Sequence, residues 1–246
     1  MNWLLLTLMR GVNHQLFEGL GDAVRYGPFM GMHIPERPIW DDGNQGCKLL
    51  GSYEHELHGA IERAIERKPA GVVNLGCAEG YYAIGMALRI PAIEIVAQDV
   101  DAESLRLVQD YAERNGVADR IRTVSGAHSP DEVARFAHGR ALYIVDVEGD
   151  ELALLDAEQL PLARADIIVE CHDFMCAEGK RRISDQLAER FNATHEINRI
   201  EPRMPDLGRW AMFAKAPSIM ALMALTEKRP LPQCWLAMWA KGDEHG

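Results

Sequence analysis

The sequence predicts an α/β fold: a doubly wound, seven-stranded, mostly parallel sheet with helices on both faces and an N-terminal helical and loop extension. Three observations predict it. From residue 49 onward, short apolar runs of strand length alternate with stretches of helix length, the order that βαβ crossovers require. The 246 residues, 48% hydrophobic and 26% charged, suffice for one such domain with a buried core but are short for two. Residues 72–87, VVNLGCAEGYYAIGMA, pass from an apolar run through a tight glycine-bearing loop into a helix of small residues, the turn by which sheets of this class meet their ligands.

The elements follow in order, with residues 1–48 read as the extension and 49–246 as the main domain. The start is uncharged from Trp3 to Met9, too short a run to span a bilayer. Arg10 follows this run and no basic residue precedes it, the reverse of a secretory signal. An amphipathic helix packed on the domain or on a second subunit is expected, with a membrane-surface role as the other reading. Residues 27–46, GPFMGMHIPERPIWDDGNQG, are dense in Gly and Pro and read as an ordered loop or lid.

Residues 50–67 read as a helix with Leu57, Ile61 and Ala64 or Ile65 on its apolar face, and 71–75 as a short buried strand. A helix over 80–90, a strand over 93–99 and a helix over 102–116 closed by Asn-Gly come next. A strand at 121–126 precedes a helix at 129–139, with Ser129 as its cap and Pro130 in its first turn. Strands at 141–147, 166–171, 194–200 and 234–240 alternate with helices at 150–160, 178–191 and 217–228. The last helix carries Met220, Leu222, Met223 and Leu225, which suit a core, a homodimer face or an apolar pocket wall. Trp210, Trp235 and Trp239 suit core or interface positions.

Charge and cysteine usage narrow the function. A net charge of −11 and a pI near 5.3 argue against nucleic acid as partner, since phosphate binding needs clustered Lys and Arg. Cys47, Cys77, Cys171, Cys176 and Cys234 are odd in number and contain no CxxC pair. They predict reduced, cytoplasmic thiols.

Ligands of doubly wound sheets lie at the carboxyl ends of strands. The first strand opens there into LGCAEG, where Gly76 and Gly80 allow close ligand approach and the next helix offers free amides. Asp99, 19 residues past Gly80, ends the second strand and can accept both hydroxyls of a ribose. A nucleoside cofactor fits both. The spacing does not match G-x-G-x-x-G, and Glu79 stands where a pyrophosphate would be repelled, so a cationic nucleoside suits the loop better than NAD.

NLGCAEGYYAIGMA resembles motif I of class I S-adenosylmethionine (SAM) methyltransferases, whose fold is Rossmann-like. IVDVEGDELALL at 144–155 and IIVECHD at 167–173, with GPFMGM at 27–32 and LLGSYEHEL at 49–57, resemble the FkbM-like branch. The resemblance covers roughly residues 27–240. It implies that Gly76, Cys77, Ala78, Glu79 and Gly80 surround the methionine part of SAM, that Asp99 holds the ribose, and that Gly126 and Ala127 lie against the adenine. Asn74 stands where the family usually has Asp or Glu, and Asp99-Val100-Asp101 replaces a Glu-Pro pair. A neutral amide there makes a weaker contact with an ammonium than a carboxylate would.

Methyl transfer from a sulfonium needs mainly alignment, with deprotonation when the acceptor is a hydroxyl. Asp146 and His172 are the candidate bases, and Glu148, Glu170 and Asp173 issue from the same strand ends. Asp146, Glu148, His172 and Asp173 could together hold a hard divalent cation, but no spacing is diagnostic and no metal is expected. Tyr53, beside Glu54 and Glu56, is placed to reach the cofactor from the lid. The expected acceptor is a hydroxyl of a sugar, lipid or secondary metabolite. An aminopropyltransferase, an NAD(P) oxidoreductase and a non-catalytic SAM-binding protein are the competing readings.

Overall fold

The structure, a computed structural model, describes residues 3–36, 44–126, 140–156, 162–205, 218–225, 227 and 231–242. Its strands are β1 (Val72–Leu75), β2 (Ile95–Asp99), β3 (Ile121–Ser125), β4 (Leu142–Val145), β5 (Asp166–Cys171), β6 (His195–Ile200) and β7 (Cys234–Ala240). They form one sheet in the order β3-β2-β1-β4-β5-β7-β6. The first five strands pair in parallel, and β7 inserts antiparallel between β5 and β6. The central strands β1, β4, β5 and β7 are buried along their whole length, whereas the edge strands β3 and β6 are partly exposed.

The helices are α1 (Trp3–Leu20), α2 (Gln45–Leu50), α3 (His58–Glu66), α4 (Tyr81–Arg89), α5 (Ala102–Arg114), α6 (Glu151–Leu154), α7 (Ile183–Phe191) and α8 (Ser218–Leu225). Successive strand residues point to opposite faces, and two cores result. On one face Val72, Ile95, Ala97, Leu142 and Ile144 meet Ile61, Ile84, Met86 and Val108 of α3, α4 and α5. On the other Val73, Tyr143, Val145, Ile167 and Val169 meet Leu154 and the Ile183, Leu187 and Phe191 of α7. Trp235 and Trp239 are buried on the first face, with the Arg63 guanidinium 4.6 Å from the Trp239 ring.

The N-terminal extension packs on the first of these cores and on a small cluster of its own. Val12, Leu16 and Leu20 of α1 pack on Leu50, Ala224 and Leu225, so the first helix docks on the domain. No helix among the described residues is long and apolar enough to cross a membrane. Phe17, Val24, Phe29, Met32 and Ile34 enter the first core. The Phe29 ring sits on Gly85, where an added Cβ would lie 2.5 Å from it.

The expected single helix over 50–67 is broken. It ends at Gly51, whose φ of 70° is left-handed and whose Cβ, if present, would lie 1.9 Å from the Tyr26 carbonyl oxygen. Tyr53 and Glu54 therefore sit in the break, Glu54 with φ 46°, before a 3-10 turn at His55–Leu57 leads into α3. Close contact with residue 26, which no helical period encodes, overrides the local helix preference here. The helix expected over 178–191 starts at Ile183, after a left-handed Gly179. In the segment read as a helix over 150–160, α6 is one turn, and 157–161 lie outside the described residues, as do the helix expected over 129–139 and Trp210.

His195 on β6 is 1% exposed. Its Nε2 lies 2.8 Å from the Ala165 carbonyl and its Nδ1 2.8 Å from the Thr194 hydroxyl, a pair of contacts that a neutral ring satisfies as donor and acceptor. Burial pushes its pKa below the ordinary 6.5, against smaller opposing effects of the Ala165 carbonyl and Asp166. A depressed histidine pKa means that the unfolded chain takes up the proton first, so this stability is complete above about 6.5 and is lost as the pH falls through the folded value. Melting temperatures measured from pH 7.5 down to 5 should fall in the native chain, and His195→Gln should show a shallower fall from a lower starting point.

Candidate active site

Parallel strands β1 and β4 lie side by side, but the chain after β1 turns to the face covered by α3 and α5, and the chain after β4 turns to the face covered by α7. Such a divergence opens a crevice at the carboxyl ends of the strands. A cavity of about 650 Å³ occupies it, lined from β1, β2, β4 and β5 and from the segment before α3.

The loop after β1 fits the crevice only through its glycines. Gly76 has φ 68°, and a Cβ there would lie 1.7 Å from the Asp146 carbonyl oxygen. Its N–H and that of Cys77 both donate to the Gln98 carbonyl, at 2.9 and 3.1 Å. Gly80, φ 87°, starts α4. Ala78 is left-handed too, φ 44°, and is fixed by a 2.9 Å hydrogen bond from its N–H to Asp99 Oδ2. Asp99 Oδ1 accepts from the Asp101 N–H at 2.9 Å. Asp99 is thus a structural tie as well as a cavity residue, and its carboxylate keeps further acceptor sites.

Of the residues singled out from sequence, Tyr53, Gly76, Ala78, Glu79, Asp99, Asp146 and His172 line the cavity. Asn74 does not: its side chain is buried and donates to the Ile144 carbonyl at 3.3 Å. Cys77 points into the core, where burial pushes its thiol well above the ordinary value. Gly80 is not part of the lining and packs near Val108 and Ile84, and Gly126, just after β3, is outside the lining with its N–H donating to the Asp99 carbonyl at 3.3 Å. Ala127 lies outside the described residues. Asp173 is buried and caps α7 through the Ser184 N–H and hydroxyl, at 2.9 and 2.5 Å. Glu56 is turned away beside His55.

Glu79 has a partner that no sequence pattern marks. The Lys48 ammonium of α2 pairs with it in a nearly buried contact and lies 4.8 Å from the Tyr53 ring centre. Burial pushes the Glu79 carboxyl up, but Lys48 outweighs burial and holds it below the ordinary carboxylate value. The glycine loop is therefore close to neutral. The remaining lining is strongly acidic: Glu54, Asp99, Asp101, Asp146, Glu148, Asp150, Glu170 and Glu227 face His172 as the other basic group.

His172 is 2% exposed. Its Nδ1 is hydrogen-bonded to Glu151 of α6, which is fully buried and also accepts from the Gly149 N–H at 3.1 Å. Its Nε2 faces Glu148 at 3.4 Å, Asp146 at 3.5 Å and Glu170 at 3.6 Å. Burial would lower the imidazole pKa, but the Glu151 hydrogen bond and the charges of Glu170, Glu151 and Glu148 raise it above the ordinary value. Glu170 also accepts from Gln233, and Glu54 from the Tyr82 hydroxyl.

No family model matches the chain. It is 39% identical to the ribosomal protein L11 methyltransferase of Aeromonas hydrophila subsp. hydrophila over 62 residues, 25% of this chain and 21% of that protein. The counterpart from Escherichia coli strain K12 is 36% identical over the same shares of the two chains. The chain thus spans about a fifth of the length of the curated relatives it matches. A solved human structure, a methyltransferase 10 domain containing protein, superposes with a TM-score of 0.51 at 12% identity, covering 95% of this chain and 97% of that one. The shared feature is the fold, a seven-stranded mixed sheet with helices on both faces.

Two substitutions test this architecture. Gly76→Ala should lower stability by about 4 kcal/mol or more, in the range reserved for severe backbone conflicts, whereas Gly11→Ala, which meets nothing within 4 Å, should not lower it. Denaturant unfolding measures both. Lys48→Met leaves Glu79 buried without its cation and should cost about 3–5 kcal/mol. Adding Glu79→Gln should recover most of that loss in a double-mutant cycle.

Proposed function

We propose that this chain transfers the methyl group of SAM to a hydroxyl of a small molecule, as an FkbM-like methyltransferase. One observation carries the reading: the glycine loop, Asp99 and the His172 cluster line one and the same cavity. A nucleoside donor held by the loop and Asp99 and an acceptor held at the cluster would share that cavity.

The donor end suits SAM. Asp99 has acceptor capacity left for ribose hydroxyls. The loop carries no net charge to repel the methionine part, and the acidic lining beyond it favours a sulfonium. The pyrophosphate of NAD would meet the same carboxylates at a loop without the dinucleotide spacing. Phosphate-rich acceptors such as nucleic acid are disfavoured for the same electrostatic reason. Tyr53, Lys48 and Asn44 form the wall on the N-terminal side, the side expected to act as a lid.

At the acceptor end the hydroxyl oxygen attacks the methyl carbon, the C–O bond forms, and the C–S electron pair stays on sulfur. The hydroxyl proton passes to Asp146 or His172, the candidate bases of the cluster, so that the oxygen attacks without carrying a full negative charge. The rest of the catalysis is alignment in a partly enclosed cavity.

Calorimetry should show SAM and S-adenosylhomocysteine binding and no binding of NAD. Label from methyl-labelled SAM should then appear on an oxygen of a hydroxyl-bearing acceptor. Binding of NAD without SAM would end the reading, and label on nitrogen would replace its acceptor.

A further inference from the structure

We infer that Asp146, Glu148 and His172 form a divalent-cation site, of the Mn²⁺ or Mg²⁺ class, in the wall of the cavity. No diagnostic spacing marks it in the sequence, because Asp146 and Glu148 follow β4 and His172 follows β5. The fold brings them together.

The geometry fits an ion better than it fits direct contact. Donor atoms bound at about 2.1 Å to one ion lie about 3 Å apart when adjacent and about 4.2 Å apart when opposite. The three donor atoms here all lie within 4.8 Å of one another, with His172 Nε2 at 3.5 Å from Asp146 and 3.4 Å from Glu148. An imidazolium bonded directly to a carboxylate would close to about 2.7–2.9 Å. Neither carboxylate has done so.

The histidine supplies the independent observation. Its side chain is 3% exposed, and among the described residues Nε2 has no hydrogen-bond partner. A ring nitrogen carried by a buried side chain, at the cavity and aimed at the cluster, is placed to take a ligand. Glu151 fixes the Nδ1 side and is itself fixed by the Gly149 N–H, the carboxylate–histidine arrangement that orients a metal-binding imidazole. Three carboxylates within 3.6 Å of one ring are also better balanced by two positive charges than by one proton. Two carboxylates with one imidazole and no thiolate suit Mn²⁺ or Mg²⁺ rather than a thiophilic metal.

The role of the ion rests on the methyl-transfer reading: beside an acceptor oxygen it would lower that hydroxyl's pKa. Its binding does not depend on that reading. The test is a Mn²⁺ titration of the chelator-treated full chain, followed by the paramagnetic resonance of free Mn²⁺, with S-adenosylhomocysteine calorimetry on the same samples. One site per chain is expected, displaced by excess Mg²⁺. Glu148→Gln, at a side chain 78% exposed, and Asp146→Asn should each weaken it at least tenfold, while Asp150→Asn, on the same cavity but outside the cluster, should leave it unchanged. Absence of Mn²⁺ binding, equal binding by Glu148→Gln, or equal losses from Glu148→Gln and Asp150→Asn would each overturn the site. S-adenosylhomocysteine binding without Mn²⁺ removes the metal alone, and Mn²⁺ binding without S-adenosylhomocysteine removes the methyl-donor reading alone.

Discussion

The contact between Gly76 and the Asp146 carbonyl is the constraint on which the rest of the molecule depends. Two parallel strands stand side by side and send their chains to opposite faces, which is what opens a crevice. The crevice becomes a usable cavity only if the loop after β1 lies flat against the end of β4. A side chain at residue 76 would forbid this, since its Cβ would overlap the Asp146 oxygen. The same contact sets where Asp146 leaves the sheet, and so where its carboxylate meets His172.

Charge is handled differently at the glycine loop and at the His172 cluster. At the glycine loop, Glu79 is compensated within the protein by Lys48, and the pair ties the N-terminal extension to the sheet. A buried pair of this kind contributes little net stability over an apolar alternative but is costly to break on one side. Its consequence is positional: Lys48 and Tyr53 are held as a wall. Around His172 the carboxylates outnumber the one histidine, and the uncompensated charge becomes a capacity to hold cations.

Asp99 shows how one residue serves structure and binding together. Its two oxygens take the N–H groups of Ala78 and Asp101, holding a left-handed non-glycine residue in place, an arrangement that costs free energy unless its surroundings impose it. A carboxylate already oriented by two backbone groups offers its remaining lone pairs in fixed directions, so little further ordering is needed when a ligand arrives.

The sequence by itself determined the sheet, the glycine loop and the strand-end carboxylates. Strand and helix periods repeat over several residues within one segment, and Gly76, Asp99, Asp146 and His172 sit at element ends that those periods mark. It failed at Gly51, where contact with Tyr26 breaks an apparently continuous helix, and at Asn74 and Cys77, whose side chains turn into the interior rather than toward the cavity. Only the tertiary structure decided that Lys48 meets Glu79 across 31 residues, that Glu151 orients His172 across 21, and that Asp146, Glu148 and His172 converge. These meetings depend on how separate segments cross, and crossing geometry leaves no local period in the chain from which it could be read.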